Sequence, residues 1–162
     1  VSTDQYIVEL NIDEDSLPPA SPDMVHERRV AIFDLLEENV FHPAGSDAGP
    51  YIVKLSLRDN KLVMAISRSN GAPRDDVSFS LTPFRRVIKD YFMICESYHN
   101  AIRTAMPAQI EAIDMGRRGL HNEGSRMLTD SLRNKVEVDF QTSRRLFTLL
   151  CALHRRQAGE AG

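Results

Sequence analysis

Residues 51–81, YIVKLSLRDNKLVMAISRSNGAPRDDVSFSL, decide the fold. Tyr51, Val53, Leu55 and Leu57 alternate with Ile52, Lys54 and Ser56, the period of a half-buried strand. Asp59-Asn60 then turns the chain tightly into a second apolar run from Leu62 to Ile66. Asn70-Gly71-Ala72-Pro73 makes another turn into Val77, Phe79 and Leu81, with Ser78 and Ser80 facing away. Such short connections force antiparallel neighbours, so the stretch predicts a three-stranded meander. One of its faces is apolar, and the flanking segments have to cover it.

On the N-terminal side, Tyr6, Val8, Leu10 and Ile12 share a face with Glu9 and Asn11 opposite, a further strand for the sheet edge. Ser21-Pro22 has the chemistry of an N-cap and first helical residue. The helix is expected to reach about Asn39 and to bury Val25, Ile32, Leu35 and Leu36. On the C-terminal side, Thr82-Pro83 opens the best-patterned helix of the chain. Phe84, Val87, Ile88, Tyr91, Phe92, Cys95, Tyr98, Ile102 and Ala105 follow the i, i+3, i+4 rule, so this helix is the expected cover.

Pro107 ends that helix and begins another polar-rich one, P-A-Q-I-E-A-I-D-M-G-R-R-G-L-H-N-E-G. Asn122 or Ser125 is the expected cap of a short separate helix carrying Met127, Leu128 and Leu132. Val136-Glu137-Val138 is extended, and Asp139 caps a last helix that buries Leu146, Phe147, Leu150, Cys151 and Leu153. The expected class is α+β: a small antiparallel sheet of three to four strands covered by helices, with a helical C-terminal half. One domain spans 1–162, with the sheet and first helix in 1–81, the helical half in 82–156 and a frayed tail in 157–162.

Composition narrows the function classes. A 162-residue chain with 42% hydrophobic and 27% charged residues can bury a core without staples. A net charge of −3 gives no basic field for nucleic acid or an anionic membrane. Cys95 and Cys151 sit singly in apolar stripes and read as buried free thiols. With no leader-like N-terminus and no run of eighteen apolar residues, the expectation is a cytoplasmic protein without a membrane span.

The standard catalytic templates fail on inspection. His26-Glu27-Arg28-Arg29-Val30 begins like a zincin helix, but Val30 stands where a second His must close on zinc. His121-Asn122-Glu123 has the H-x-E of a zinc deaminase without the required P-C-x-x-C. A looser set of His99, Asp114, His121 and Glu123 is left open by spacing alone. Phosphate-binding loops, dinucleotide fingerprints and nucleophile elbows are missing, and neither Cys sits beside an activating His. The reading assigns no cofactor and no metal.

Arginine is the unusual feature: of 20 basic residues, only Lys54, Lys61, Lys89 and Lys135 are lysine. Its planar fork suits bidentate contact with carboxylate or phosphate. Five Arg-Arg pairs fall on expected helices (28–29, 85–86, 117–118, 144–145 and 155–156), and solvated faces account for most. Arg117 is the expected exception, because it lies inside the stripe Ile110, Ile113, Leu120. A cation there needs a carboxylate from the first or last helix, or an external anion. Ala112, Gly116 and Gly119 form a small-residue edge beside it, and Asp114, Arg118 and His121 share the adjoining flank.

Four segments together resemble a bacterial family of uncharacterised proteins, number zero-two-six-two in the UPF series. They are H-E-R-R-V-A-I-F-D-L-L-E-E-N, S-L-T-P-F-R-R-V-I-K-D-Y-F-M-I-C-E-S-Y, A-I-R-T-A-M-P-A-Q-I-E-A-I-D-M-G-R-R-G-L-H-N-E-G and V-D-F-Q-T-S-R-R-L-F-T-L-L-C-A-L-H. The resemblance covers about residues 9–155 and is weakest in the first strand and in 45–76. It implies a cytoplasmic bacterial protein and brings no activity, cofactor or catalytic residue with it.

The functional expectation is therefore a non-catalytic binding or regulatory module for a protein partner or small anion. Its candidate polar cluster is Arg117, Arg118, Asp114, His121 and Glu123. The alternative is an enzyme on a phosphorylated or carboxylated small molecule, with Arg117 and Arg118 as clamp and His121 or Glu123 as acid-base group. RNA binding ranks below both, and the Arg-rich faces are compatible with a monomer or a homo-oligomer.

Overall fold

A computed structural model describes residues 4–46, 48–72 and 76–155. The elements run β1 (Ile7–Ile12), α1 (Pro22–Glu37), β2 (His42–Pro43), β3 (Tyr51–Arg58), β4 (Lys61–Arg68), β5 (Val77–Ser80), α2 (Arg85–Thr104), α3 (Pro107–Leu132), β6 (Val136–Glu137) and α4 (Phe140–His154). Single 3-10 turns at Glu14–Ser16 and Thr82–Phe84 precede α1 and α2. The expected tail at 157–162, together with Pro73 and Arg156, lies outside the described residues.

The class is α+β, with a four-stranded sheet in the order β1-β3-β4-β5 and a small β2-β6 pair. The meander is antiparallel from Tyr51 onward, with Arg58 opposite Lys61 across the turn. Asp59 and Asn60 both take positive φ, 52° and 59°, which matches the hairpin to the twist of its strands. β1 joins the β3 edge in parallel, so the four-stranded sheet is mixed. α1 lies between the two strands and returns the chain, which a tight turn cannot do for a parallel pair.

β1 also departs from its expected face. The register against β3 shifts between Ile7 and Glu9, and Ile7 and Leu10 are buried where Tyr6 and Val8 stay exposed. A bulge interrupts the two-residue period, so alternation misassigns the side chains before it.

The most deeply buried helix is α4, not α2. Leu146, Phe147, Leu149, Leu150, Cys151, Ala152 and Leu153 are all buried, and all but Ala152 belong to one core with Val53, Leu55, Met64 and Ile66 of the sheet. α1 packs along one flank of α4 and α3 along another. α2 packs chiefly on α3, and its stripe thins toward the end, where Ile102 is 52% exposed. The caps are local and follow the sequence: the Ser21 hydroxyl accepts from Met24 N, and Asp139 accepts from Thr142 N.

Two expectations for the helices are corrected. α3 runs unbroken through Asn122 and Ser125, because Ser125 turns its hydroxyl back to the His121 carbonyl instead of capping a new start. Among the described residues the buried arginine is Arg28, at 2% exposure, on the α1 face formed by Met24, Ala31 and Leu35. Its Nη1 meets Glu14 Oε2 at 3.2 Å, while Nε and Nη2 are buried without a hydrogen-bond partner.

Candidate functional site: an arginine cleft between two helices

Three aromatic side chains join the helices of the C-terminal half. The imidazole of His121 on α3 lies 5.5 Å from the Tyr91 ring of α2 and 5.2 Å from the Phe147 ring of α4. Phe147 reaches this place because Gly124 leaves room on α3 for its ring. A cleft of about 420 Å³ opens beside this junction. One wall is α3 with Arg117, Arg118 and His121; the other is α4 with Gln141, Arg144, Arg145 and Thr148, and Tyr91 adds its edge from α2.

Asp114 organises the α3 wall. Its Oδ1 accepts from Arg117 Nε at 3.1 Å and Nη2 at 2.5 Å, and its Oδ2 lies 2.5 Å from Arg118 Nη2. The hydrogen bonds from Arg117, then those from Arg118, hold the Asp114 carboxyl below its usual range against the opposing effect of burial. The Arg117 guanidinium also lies 5.1 Å from the centre of the Tyr98 ring, a cation–π contact. The anion that Arg117 meets is therefore on its own helix, one turn back, and the expected bridge to the first or last helix is absent among the described residues. Nor is Arg117 deeply buried: its side chain is 32% exposed, because the stripe turns toward the cleft at this point.

The proton on His121 can be placed by hydrogen-bond bookkeeping. Thr148 donates its hydroxyl to the Arg144 carbonyl at 3.1 Å, so its oxygen is left to accept from His121 Nε2 at 2.7 Å. Nε2 carries the hydrogen and Nδ1 the lone pair, buried without a hydrogen-bond partner. Burial first, then the charges of Arg144 and Arg117, push the imidazole down to about 4. His121 is neutral at pH 7. Arg144 has its Nε buried and without a hydrogen-bond partner, while Arg145 donates to the Glu38 carbonyl at 2.8 Å.

Residues 4–156 match the Uncharacterised protein family (UPF0262). The chain belongs to the UPF0262 family. It is 59% identical over 152 residues to a UPF0262 protein of Chelativorans sp. (strain BNC1), covering 93% of this chain and 94% of that one. A UPF0262 protein of Brucella anthropi is 60% identical over 151 residues, with the same coverage of 93% and 94%. No solved structure matches the chain.

Of the site residues expected from this UPF0262 sequence, Arg117, Arg118, Asp114 and His121 come together. Glu123 does not. It is exposed and absent from the cleft lining, since two positions past His121 on a helix is a rotation of about 200°. Among the described residues no three His, Cys, Asp or Glu side chains gather as a metal site, so the loose set of His99, Asp114, His121 and Glu123 is not assembled. Also among them, no helix is long and apolar enough to cross a membrane. The small-residue edge is revised in part: a Cβ at Gly116 would lie 2.8 Å from the Ile94 side chain and Gly119 has nothing within 4 Å, while the tightest approach falls at Gly124.

The whole α4 wall was missed at the sequence level. Its signal exists: Gln141, Arg144, Arg145 and Thr148 stand at i, i+3, i+4 and i+7, a polar stripe on an otherwise apolar helix. Read singly, Arg144-Arg145 looked like one more solvated pair.

The depressed imidazole predicts a pH effect. Between about 4 and 6.5 the unfolded chain binds a proton at position 121 that the folded chain refuses, so stability falls as pH drops through that window and flattens below it. The loss by pH 4 is on the order of 2 kcal/mol after allowing for solvent screening. Urea unfolding of wild type and His121→Gln at pH 7 and 4.5 checks this. The variant loses less on acidification, and equal losses would show that His121 is not held neutral.

Proposed function

We propose that this protein is a non-catalytic binding protein that holds a small anion in the arginine cleft. The observation that carries the reading is the lining itself. Four arginines on two walls line one concave space, and no Asp or Glu side chain lines it among the described residues. Asp114 sits behind the α3 wall and offsets about one of the four charges. Like charges facing each other across a cleft repel, and a bound anion turns that repulsion into attraction.

What favours binding over the enzymatic alternative is the missing acid-base pair. The one hydrogen of His121 is committed to Thr148, its other nitrogen is buried, and Glu123 lies outside. A second cleft of about 400 Å³, beside β2 and β6, is a weaker candidate. Its lining includes the Glu137 carboxylate, and its cations are engaged, Arg133 with Asp130 at 2.6 Å and Lys135 with the Ser78 carbonyl at 2.7 Å, so it offers an anion less positive charge.

Thermal unfolding against phosphate, sulfate and citrate, with chloride making up constant ionic strength, tests the proposal. The melting temperature rises by several degrees as an anion approaches a hundred times its dissociation constant. The rise shrinks in Arg118→Ser, whose side chain is 68% exposed and contributes little to the fold. A melting temperature insensitive to all three anions rules the reading out.

A further inference from the structure

Resting on the anion-binding reading, we propose that the arginine cleft takes a doubly charged phosphoryl group, as on a phosphate monoester, in preference to singly charged carboxylates. Three features of the cleft converge on this class. With Asp114 neutralising about one guanidinium, a single carboxylate leaves at least two of the four cations without a counter-charge. A phosphoryl dianion removes most of that excess.

Shape points the same way. Arg117 and Arg118 approach from α3 and Arg144 and Arg145 from α4, so the donors come from two sides. A planar carboxylate presents both oxygens along one edge, whereas a tetrahedral phosphoryl group offers three acceptor oxygens in different directions. The Nε of Arg144, buried without a hydrogen-bond partner, belongs to one of these walls.

The donor inventory selects the charge state. Guanidinium groups only donate, Thr148 has already given its hydrogen to the Arg144 carbonyl, and its oxygen already accepts from His121. Among the described residues, the remaining lining acceptors are the Gln141 amide carbonyl and the Tyr91 phenol oxygen. A protonated phosphoryl group brings a hydroxyl that finds little to accept it, and a fully ionised one needs only donors.

The site does not itself titrate near neutrality, which makes the ligand's proton readable. Facing the cleft, Tyr91 of α2 is pushed up to about 12, chiefly by burial, and neighbouring Cys95 is also raised by burial. On α3, Asp114 stays ionised and His121 neutral, and guanidinium groups in general do not deprotonate in proteins. Between pH 5 and 7.5 the changing group is therefore the monoester, whose second pKa is about 6.

Calorimetric titration of the full chain with methyl phosphate, sulfate and acetate at constant ionic strength tests the assignment. Methyl phosphate binds about tenfold more tightly at pH 7.5 than at pH 5, following its dianion fraction. Sulfate, dianionic throughout, binds equally at both, and acetate binds at least tenfold more weakly. Arg118→Ser, and Arg144→Lys with its melting temperature measured alongside, each reduce methyl phosphate affinity by about tenfold or more. Acetate binding as tightly as sulfate, or methyl phosphate binding independent of pH, overturns the phosphoryl assignment and leaves an anion site. Sulfate binding that strengthens toward pH 5 would place the proton on His121 and overturn it equally. Binding of none of the three removes the anion reading itself.

Discussion

Gly124→Ala lowers the stability of this protein by about 2–3 kcal/mol, although the same change in an exposed helix raises it. A Cβ built at position 124 falls 2.2 Å from both Cε1 and Cζ of Phe147, and 2.7 Å from Cε2. The ring cannot swing clear. It has 0% exposure, lies edge-on to His121 at 82° and to Tyr91 at 67°, and belongs to the most buried helix. Relief requires α3 and α4 to move apart, which also opens the walls of the arginine cleft. Gly119→Ala is the matched control on the same helix. Its Cβ meets nothing within 4 Å, so the substitution should gain up to about 1 kcal/mol from helix propensity alone. Urea midpoints for the two variants separate packing from propensity, and a Gly124→Ala protein as stable as wild type would mean that α3 and α4 do not approach this closely.

Arg28→Met should act in the opposite direction, raising stability by about 1–3 kcal/mol. Arg28 spends its charge poorly in the folded state. Its side chain is 3% exposed, and its one ion pair runs to Glu14, whose side chain is 64% exposed. Two of its nitrogens are buried with no hydrogen-bond partner. A guanidinium removed from water and half satisfied is a poor exchange for an apolar side chain of similar length. Methionine keeps the packing against the Met24, Ala31 and Leu35 face and leaves Glu14 solvated. The shift in unfolding free energy decides it. A loss of stability would show that the Glu14 contact, which ties the turn at Glu14–Ser16 to α1, outweighs the desolvation of the guanidinium.

The two arginines show where the sequence could and could not be read. Arg117 was expected to point at the core, from its place between Ile113 and Leu120. Ile110, Ile113 and Leu120 are half-buried on α3, but at position 117 the side chain turns to Asp114 and the cleft. Arg28 carried no comparable warning, because the fully buried face of α1 runs through Met24, Ala31 and Leu35, while Val25 is half-buried and Ile32 and Leu36 pack only partly buried against the core. On a helix with weak amphipathic contrast, a rotation of one residue moves a different side chain inward. Only the packing partner determines that rotation.

Features set by neighbours along the chain were legible without a structure. The hairpin at Asp59-Asn60, the caps at Ser21 and Asp139, the stop at Pro107 and the α+β class all follow from turn chemistry and short periods. Asp114, Arg117, Arg118 and His121 were likewise grouped by spacing, since one helix carries them all. The tertiary structure decided what depends on distant partners: the parallel entry of β1, the central place of α4, the burial of Arg28 and the second wall of the cleft. A polar stripe such as Gln141, Arg144, Arg145 and Thr148 looks the same locally whether it faces water or another helix. The Phe147 ring against Gly124 brings that stripe opposite Arg117 and Arg118, and the contact joins positions 23 residues apart by packing alone.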